Sequence, residues 1–161
     1  MSYGNDSGID YATARGRDWP SVRQFNIFLE NRVGALLEVV RRFETTDNRI
    51  VSLTIVDLAD CSIARLVLSD PERAHEIFQQ ANLPATESDL LVVQLPDGPQ
   101  PLLQICKALL VGELNIHYAY PLLIGPQGRA ALALHVEDHE SAANTLSRLG
   151  FTLFTENDLN S

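Results

Sequence analysis

The chain has 161 residues, 45% hydrophobic and 20% charged, a balance typical of a folded protein with a core. Twelve Lys and Arg against 21 Asp and Glu give a formal net charge of −9, which argues against nucleic acid and anionic membranes as main partners. Two cysteines, Cys61 and Cys106, are too few for a disulfide scaffold, and no run of about 20 apolar residues occurs, so we expect a cytoplasmic protein.

Residues 1–21 are polar and rich in Gly, Ser, Asn and Asp, with scattered aromatic residues and neither helical nor strand periodicity. We do not expect them to be a secretory signal, because they contain no apolar stretch. We expect a flexible N-terminal arm that attaches to the rest of the protein near Trp19. An arm that covers a pocket or a partner is the alternative.

From residue 22 onward the sequence alternates between strand and helix patterns. Val22–Glu30 has the period of a half-buried strand, because Phe25, Ile27 and Leu29 fall on one face. The next predicted elements are a helix over Leu36–Phe43, a hairpin of Ile50–Leu58 with Ser62–Leu68, and a helix that starts at Ser69-Asp70-Pro71, with Ser69 as its capping side chain. The first unit therefore has the order β-α-β-β-α, with another strand expected after it.

The same order of elements returns in the second half of the chain. Its predicted elements are a strand at Leu90–Leu95, a helix at Leu102–Val111, strands at Leu114–Ile124 and Ala130–Glu137, a helix capped by Asp138, and an edge strand at Phe151–Thr155. In addition, Thr86–Leu90 is similar to Thr155–Leu159, 69 residues later. These matches indicate a duplication, with residues 22–89 as the first domain and residues 90–161 as the second.

The order β-α-β-β-α-β predicts an α+β, ferredoxin-like fold for each unit, in which a four-stranded antiparallel sheet carries both helices on one face. Right-handed crossovers place the two helices on the same side. The opposite face carries apolar side chains and needs a cover, because a bare apolar sheet face is not stable in water. The sister unit, a second chain, or both can supply that cover, and we expect a homodimer.

The sequence contains no recognisable catalytic constellation. It has no G-x-S-x-G elbow, no P-loop and no G-x-G-x-x-G segment. His135 and His139 are four residues apart, but they straddle a predicted strand end and helix start, so they need not share a face. We therefore expect no enzymatic activity, no metal site and no cofactor.

The turn between the first strand and the first helix, Asn31–Leu36, has the composition of a binding turn. Asn31 can cap the helix, and Gly34 lets another group approach the backbone closely. The free N–H groups of the first helical turn can bind a carboxylate, and the side-chain oxygen of Asn31 can accept from an ammonium. Together these groups could bind both the carboxylate and the ammonium of a free amino acid. An ordinary capped turn without a ligand is the alternative.

These residues resemble an ACT domain, whose first-loop motif is (Asp/Asn)-x-x-Gly-x-Leu. The chain has Asn31-Arg32-Val33-Gly34-Ala35-Leu36 at this place. In the second copy the corresponding segment is Asp97–Leu102, with Gln100 where the family glycine belongs, and the next strand opens with Leu114-Asn115-Ile116. The resemblance covers residues 22–159.

The resemblance implies a regulatory protein of two tandem ACT domains that binds a free amino acid, or a similar small effector, and controls a metabolic enzyme. Carried over from the family, the ligand residues are the first loop and a facing wall from the partner copy: Asn31, Arg32, Val33, Gly34, Ala35 and Leu36, with His117, Tyr118 and Tyr120. Gln100 would fill the space that the glycine leaves, so we expect one competent loop per chain.

The first copy is also similar to the small regulatory subunit of acetolactate synthase. A ligand-free regulatory or assembly subunit of an amino-acid biosynthesis enzyme of that kind is the alternative function.

Overall fold

The computed structural model describes residues 17–160. Most of the expected N-terminal arm, residues 1–16, lies outside the described residues. The helices and strands are β1 Val22–Glu30, α1 Ala35–Val40, β2 Ile50–Asp57, β3 Cys61–Leu68, α2 Pro71–Gln80, β4 Ala85–Gln94, α3 Pro101–Val111, β5 Ile116–Pro121, β6 Ala131–Val136, α4 His139–Arg148 and β7 Leu153–Phe154. Among residues 17–160, no helix is long and apolar enough to cross a membrane.

Several elements are shorter than the sequence predicts, among them β7, which covers only Leu153–Phe154 of the predicted Phe151–Thr155. Helix α1 ends at Val40, and a 3-10 turn continues it for three residues. The strand predicted over Leu114–Ile124 is confined to β5, which ends at Pro121. Beyond Pro121 the backbone turns towards β2, where the N–H of Leu123 donates to the carbonyl of Val51 (2.7 Å). A contact between the two halves of the chain therefore ends β5.

The strands of the described residues form one seven-stranded antiparallel sheet in the order β2-β3-β1-β4-β6-β5, with β7 also paired to β4. Strand β4 belongs to both halves, because residues 85–90 pair with β1 and residues 91–94 pair with β6, and in part with β7. The boundary expected between residues 89 and 90 thus lies inside one continuous strand. That strand closes the first βαββαβ unit and opens the second, so the fold is a tandem ferredoxin-like pair.

The helix-free faces of the two units pack against each other within one chain. The buried cluster between them contains Val22, Val51, Val67, Leu90, Val92, Tyr120, Leu122, Ala131, Ala133, Phe154 and Leu159. The edge strands β2 and β5 also meet, since the hydroxyl of Ser52 donates to the carbonyl of Pro121 (2.6 Å). The sheet therefore curls until its two edges touch, and the sister unit supplies the cover that an apolar face requires.

This cover explains how β1 departs from the predicted alternation. Phe25–Glu30 alternate between buried and more exposed side chains, but Val22, Arg23 and Gln24 are all buried. At the far end of the same strand, Phe28 keeps 60% of its surface exposed. Only the first part of β1 therefore lies beneath the second unit.

Helices α2 and α4 begin in the same way, as the duplication predicts. Asp70 accepts a hydrogen bond from the N–H of Arg73 (3.2 Å), and Asp138 accepts one from the N–H of Ser141 (3.1 Å). The bonds from Ser141 hold the pKa of the Asp138 carboxyl below its ordinary value. The prediction that Ser69 caps α2 is wrong, because its hydroxyl accepts instead from the backbone N–H just before β2 (2.9 Å).

Candidate functional site

The motif glycine, Gly34, stands at the start of α1 in a left-handed backbone conformation (φ 86°, ψ −2°). Side chains of L-residues rarely adopt this conformation, so the backbone itself requires glycine here. A Cβ at this position would meet no atom within 4 Å. The glycine therefore leaves an open space beside the backbone that the described part of the chain does not fill.

In the described part of the chain, several backbone N–H groups of the loop are free, and the side-chain cap that the sequence predicts for α1 is not formed. No side chain of the described residues caps α1, so the prediction that Asn31 does so is wrong; Gly34 occupies the capping position instead. Among residues 17–160, the N–H groups of Val33, Gly34 and Leu36 have no hydrogen-bond acceptor. Unpaired N–H groups at a helix start can satisfy an anion.

The remaining loop residues differ in their surroundings. Arg32 forms ion pairs with Glu30 (2.9 Å) and Glu38 (2.6 Å), and its hydrogen bond lowers the pKa of the Glu38 carboxyl. Ala35 is buried and Leu36 packs partly against the core on the helix side of the first unit. The side chains of Asn31, Arg32 and Val33 are exposed. Arg32 is therefore already held by two carboxylates, and the free donors of this loop are its amides.

The structure does not bring the loop and the tyrosines of the expected wall together within one chain. The hydroxyls of Tyr118 and Tyr120 lie 2.8 and 2.6 Å from the side-chain amide of Gln24, near the beginning of β1. The loop follows the other end of that strand. Seven residues at about 3.3 Å per residue place Gln24 and Asn31 about 20 Å apart. The two tyrosines instead pack in or against the buried cluster between the two units.

His117, the third residue of the expected wall, belongs to a row of three histidine rings. The His117 and His135 ring centres are 5.5 Å apart, and those of His135 and His139 are 5.0 Å apart. Trp19 stacks on His139 at 5.3 Å, which fixes the chain before β1 as expected. Among the described residues, no group of three or more potential ligands could hold a metal ion. The sequence did not reveal this row, because the three residues come from different elements.

The second loop has a different backbone from the first. Gln100, which replaces the motif glycine, has a negative φ (φ −134°, ψ 66°) where Gly34 has a positive one, and its side chain forms no capping hydrogen bond. Next to it a cavity of about 230 Å³ is lined by residues that include Asp97, Gln104 and Gly150. The two copies therefore do not present the same loop to a ligand.

A larger cavity of about 480 Å³ lies between α1, the start of β2 and the segment after β5. Its apolar lining consists of Leu37, Val40, Phe43, Ile50 and Ile124. Arg41 and Arg49 line it as well. The sequence did not single out either arginine as a site residue, because only the folded chain brings the two together.

Comparisons with known proteins agree with this architecture. The chain is similar to the crystal structure of protein BT0572 from Bacteroides thetaiotaomicron, at 23% identity over 89% of this chain and 98% of that chain, with a TM-score of 0.78. It is also similar to the ligand-free regulatory subunit of aspartate kinase from Thermus thermophilus, at 12% identity over 83% and 95% of the two chains, with a TM-score of 0.52. These matches do not show the similarity to acetolactate synthase.

No curated protein matches the sequence. The family model described as an ACT domain pair matches residues 20–161, which include both βαββαβ units and the shared strand β4. The motif at Gly34, the repeated order of elements and this match agree, and the chain belongs to the ACT domain pair family.

Proposed function

We propose that this protein is a non-catalytic regulator of two ACT domains, residues 22–89 and 90–161, that binds a free amino acid and so controls a metabolic enzyme. The observation that carries the proposal is the loop at Gly34, an open left-handed turn with free backbone N–H groups. Family membership supports it. The Thermus protein with a similar fold is described as the regulatory subunit of an enzyme. The role proposed here is of the same kind, a regulatory chain that is separate from the catalytic one.

The chemistry of the proposed site follows from its donors. The N–H groups of Val33, Gly34 and Leu36 bind the carboxylate of the amino acid, and the side-chain oxygen of Asn31 accepts from its ammonium. Because Arg32 is paired with two glutamates, the amides rather than this guanidinium hold the carboxylate. A ligand that favours one arrangement of the domains changes the population of the state that a partner enzyme recognises.

The facing wall of this site has to come from a second chain, because Tyr118 and Tyr120 lie about 20 Å from the loop of their own chain by strand geometry. His117 is exposed and can contribute to such a wall. Tyr120 is only 5% exposed and cannot do so unless the inner core opens. The proposed homodimer would therefore use His117 and the exposed part of Tyr118.

A ligand-free assembly subunit is a second candidate, favoured by the apolar surface of α3. Four of its apolar side chains are more than half exposed, namely Leu102, Leu103, Leu110 and Val111. Such a surface is typical of a protein–protein contact. Co-purification of a large catalytic chain, without a response to any amino acid, would favour this candidate over the regulator.

The test of the proposed site is calorimetric titration of the protein with each proteinogenic amino acid. Gly34→Ala places a side chain in the open space and strains a left-handed backbone, so binding should weaken at least about tenfold. Gly128→Ala is the matched control, because Gly128 has φ 74° and equally open surroundings.

The control variant should bind like the wild type. Absence of binding by every amino acid, or equal weakening by the two substitutions, would reject the loop as the site.

A further inference from the structure

The cavity of about 480 Å³ lies at the contact between the two halves of the chain. Leu37 and Val40 line it from α1, whereas Ile124 lines it from the second half, where its N–H donates to the carbonyl of Val51 (3.3 Å). Cavities that bind small molecules commonly have volumes of about 300–1,000 Å³ and largely apolar linings. This cavity has both properties.

Within the described part of the chain, two arginines of the lining form no ion pair with an acidic side chain. Among residues 17–160, neither Arg41 nor Arg49 forms an ion pair, and the one side-chain hydrogen bond of Arg49 is a long contact with the carbonyl of Leu159 (3.5 Å). By contrast, Arg23 and Arg32 each pair with two or more glutamates. In a chain of net charge −9, two unpaired guanidinium groups at one apolar cavity indicate a site for an anion.

The remaining charge of the lining limits which anion fits. Glu44 also lines the cavity, so two positive charges and one negative charge surround it. A polyphosphate would bring several negative charges next to Glu44, whereas a single carboxylate matches the net positive charge of one. Guanidinium groups hold carboxylates through paired, charge-assisted hydrogen bonds.

We propose that this cavity binds a small carboxylate that carries an apolar tail. The tail contacts Leu37, Val40 and Ile124, and the carboxylate pairs with Arg41 and Arg49. The site is separate from the loop at Gly34 and does not depend on the proposed function. Since both halves line the cavity, an occupied site stabilises their contact.

Titration calorimetry of the full chain with 4-methylpentanoate tests the proposal, with 4-methylpentanamide as the uncharged probe of the same carbon skeleton. Arg41→Met and Arg49→Met should each weaken binding of the carboxylate about tenfold. Arg42→Met is the matched control, because it removes the same charge from a neighbouring exposed residue that does not line the cavity. It should change the affinity less than about twofold.

A second pair of variants tests the apolar wall. Ile124→Ser should weaken binding several-fold, whereas Leu123→Ser should not, because Leu123 is 69% exposed and does not line the cavity. The proposal would be overturned if the carboxylate did not bind at about 10 mM, or if the amide bound equally well. Equal losses of affinity in a variant and its control would overturn it too.

Discussion

Gln24 is a fully buried amide on β1 whose hydrogen bonds cross from one half of the chain to the other. Its Nε2 donates to the hydroxyl of Tyr118 (2.8 Å) and to Oδ1 of Asn26 (2.7 Å), and its Oε1 accepts from the hydroxyl of Tyr120 (2.6 Å). Burial raises the pKa of Tyr120, so this hydroxyl stays protonated and remains a donor. A satisfied buried amide of this kind fixes the positions of the strands that it joins.

Tyr120→Phe should lower the free energy of unfolding by about 1–3 kcal/mol, because it leaves Oε1 of Gln24 buried without a donor. Tyr118→Phe is the control and should cost less, since Nε2 of Gln24 keeps its bond to Asn26. Urea denaturation of both variants measures the difference. Equal costs would show that the two hydroxyls do not play the separate roles described.

His139 makes stability depend on pH. Burial, followed by the neighbouring charge of His135, lowers its pKa below the ordinary 6.5, against a smaller opposing effect of Asp89. The folded protein therefore binds fewer protons at His139 than the unfolded chain does, and this residue reduces stability as the pH falls through and below 6.5. His139→Phe keeps a ring beside Trp19 and removes the titration.

The wild type should thus lose stability relative to His139→Phe between about pH 7.5 and about pH 5.5. Urea denaturation at the two pH values measures this change. Parallel losses in the two proteins would contradict the assignment to His139.

At the scale of elements, the sequence predicts strand bounds and helix caps well where they depend on neighbouring residues alone. The bounds of β1 are confirmed residue for residue, and the Asp138 cap is confirmed as well. Burial of Val22–Gln24 on both faces could not be predicted, because it depends on a unit that comes much later in the chain. The continuity of β4 was missed for a related reason, since alternation along a strand does not show that its partners change at residue 91.

Asp70 provides a test of the repeated helix starts. Asp70→Ala removes the acceptor for the N–H of Arg73 and should cost about 1 kcal/mol of folding free energy. Asp70→Asn keeps a side-chain acceptor and should restore most of that loss. Chemical denaturation measures both values, and an alanine variant as stable as the wild type would show that this cap contributes nothing.

At the scale of the whole molecule, the two units share one strand and one inner core, so a bare sheet face no longer requires a second chain. The candidate site was only partly predictable. The sequence motif identifies the loop at Gly34, because its chemistry is local. It could not show that the tyrosines turn inward, nor that Arg41 and Arg49 meet at one cavity, since both depend on how the sheet curls.

The apolar surface of α3, whose only charged residue is Lys107, offers a contact for the proposed homodimer in addition to His117 and Tyr118. The wild type should sediment as a dimer at micromolar concentration. Leu110→Lys should yield a folded monomer, because Leu110 is 75% exposed in one chain and a charge would be buried in the contact. Leu58→Lys, in the hairpin turn of the first unit, is the control. A monomeric wild type would contradict the dimer.

The central claim is that the amides of the Gly34 loop hold a free amino acid. An NMR titration of the ¹⁵N-labelled full chain with each proteinogenic amino acid tests it most directly. For at least one amino acid, we expect saturable shifts of the backbone resonances of Val33, Gly34 and Leu36. Unchanged resonances at these three residues with all of the amino acids would contradict it.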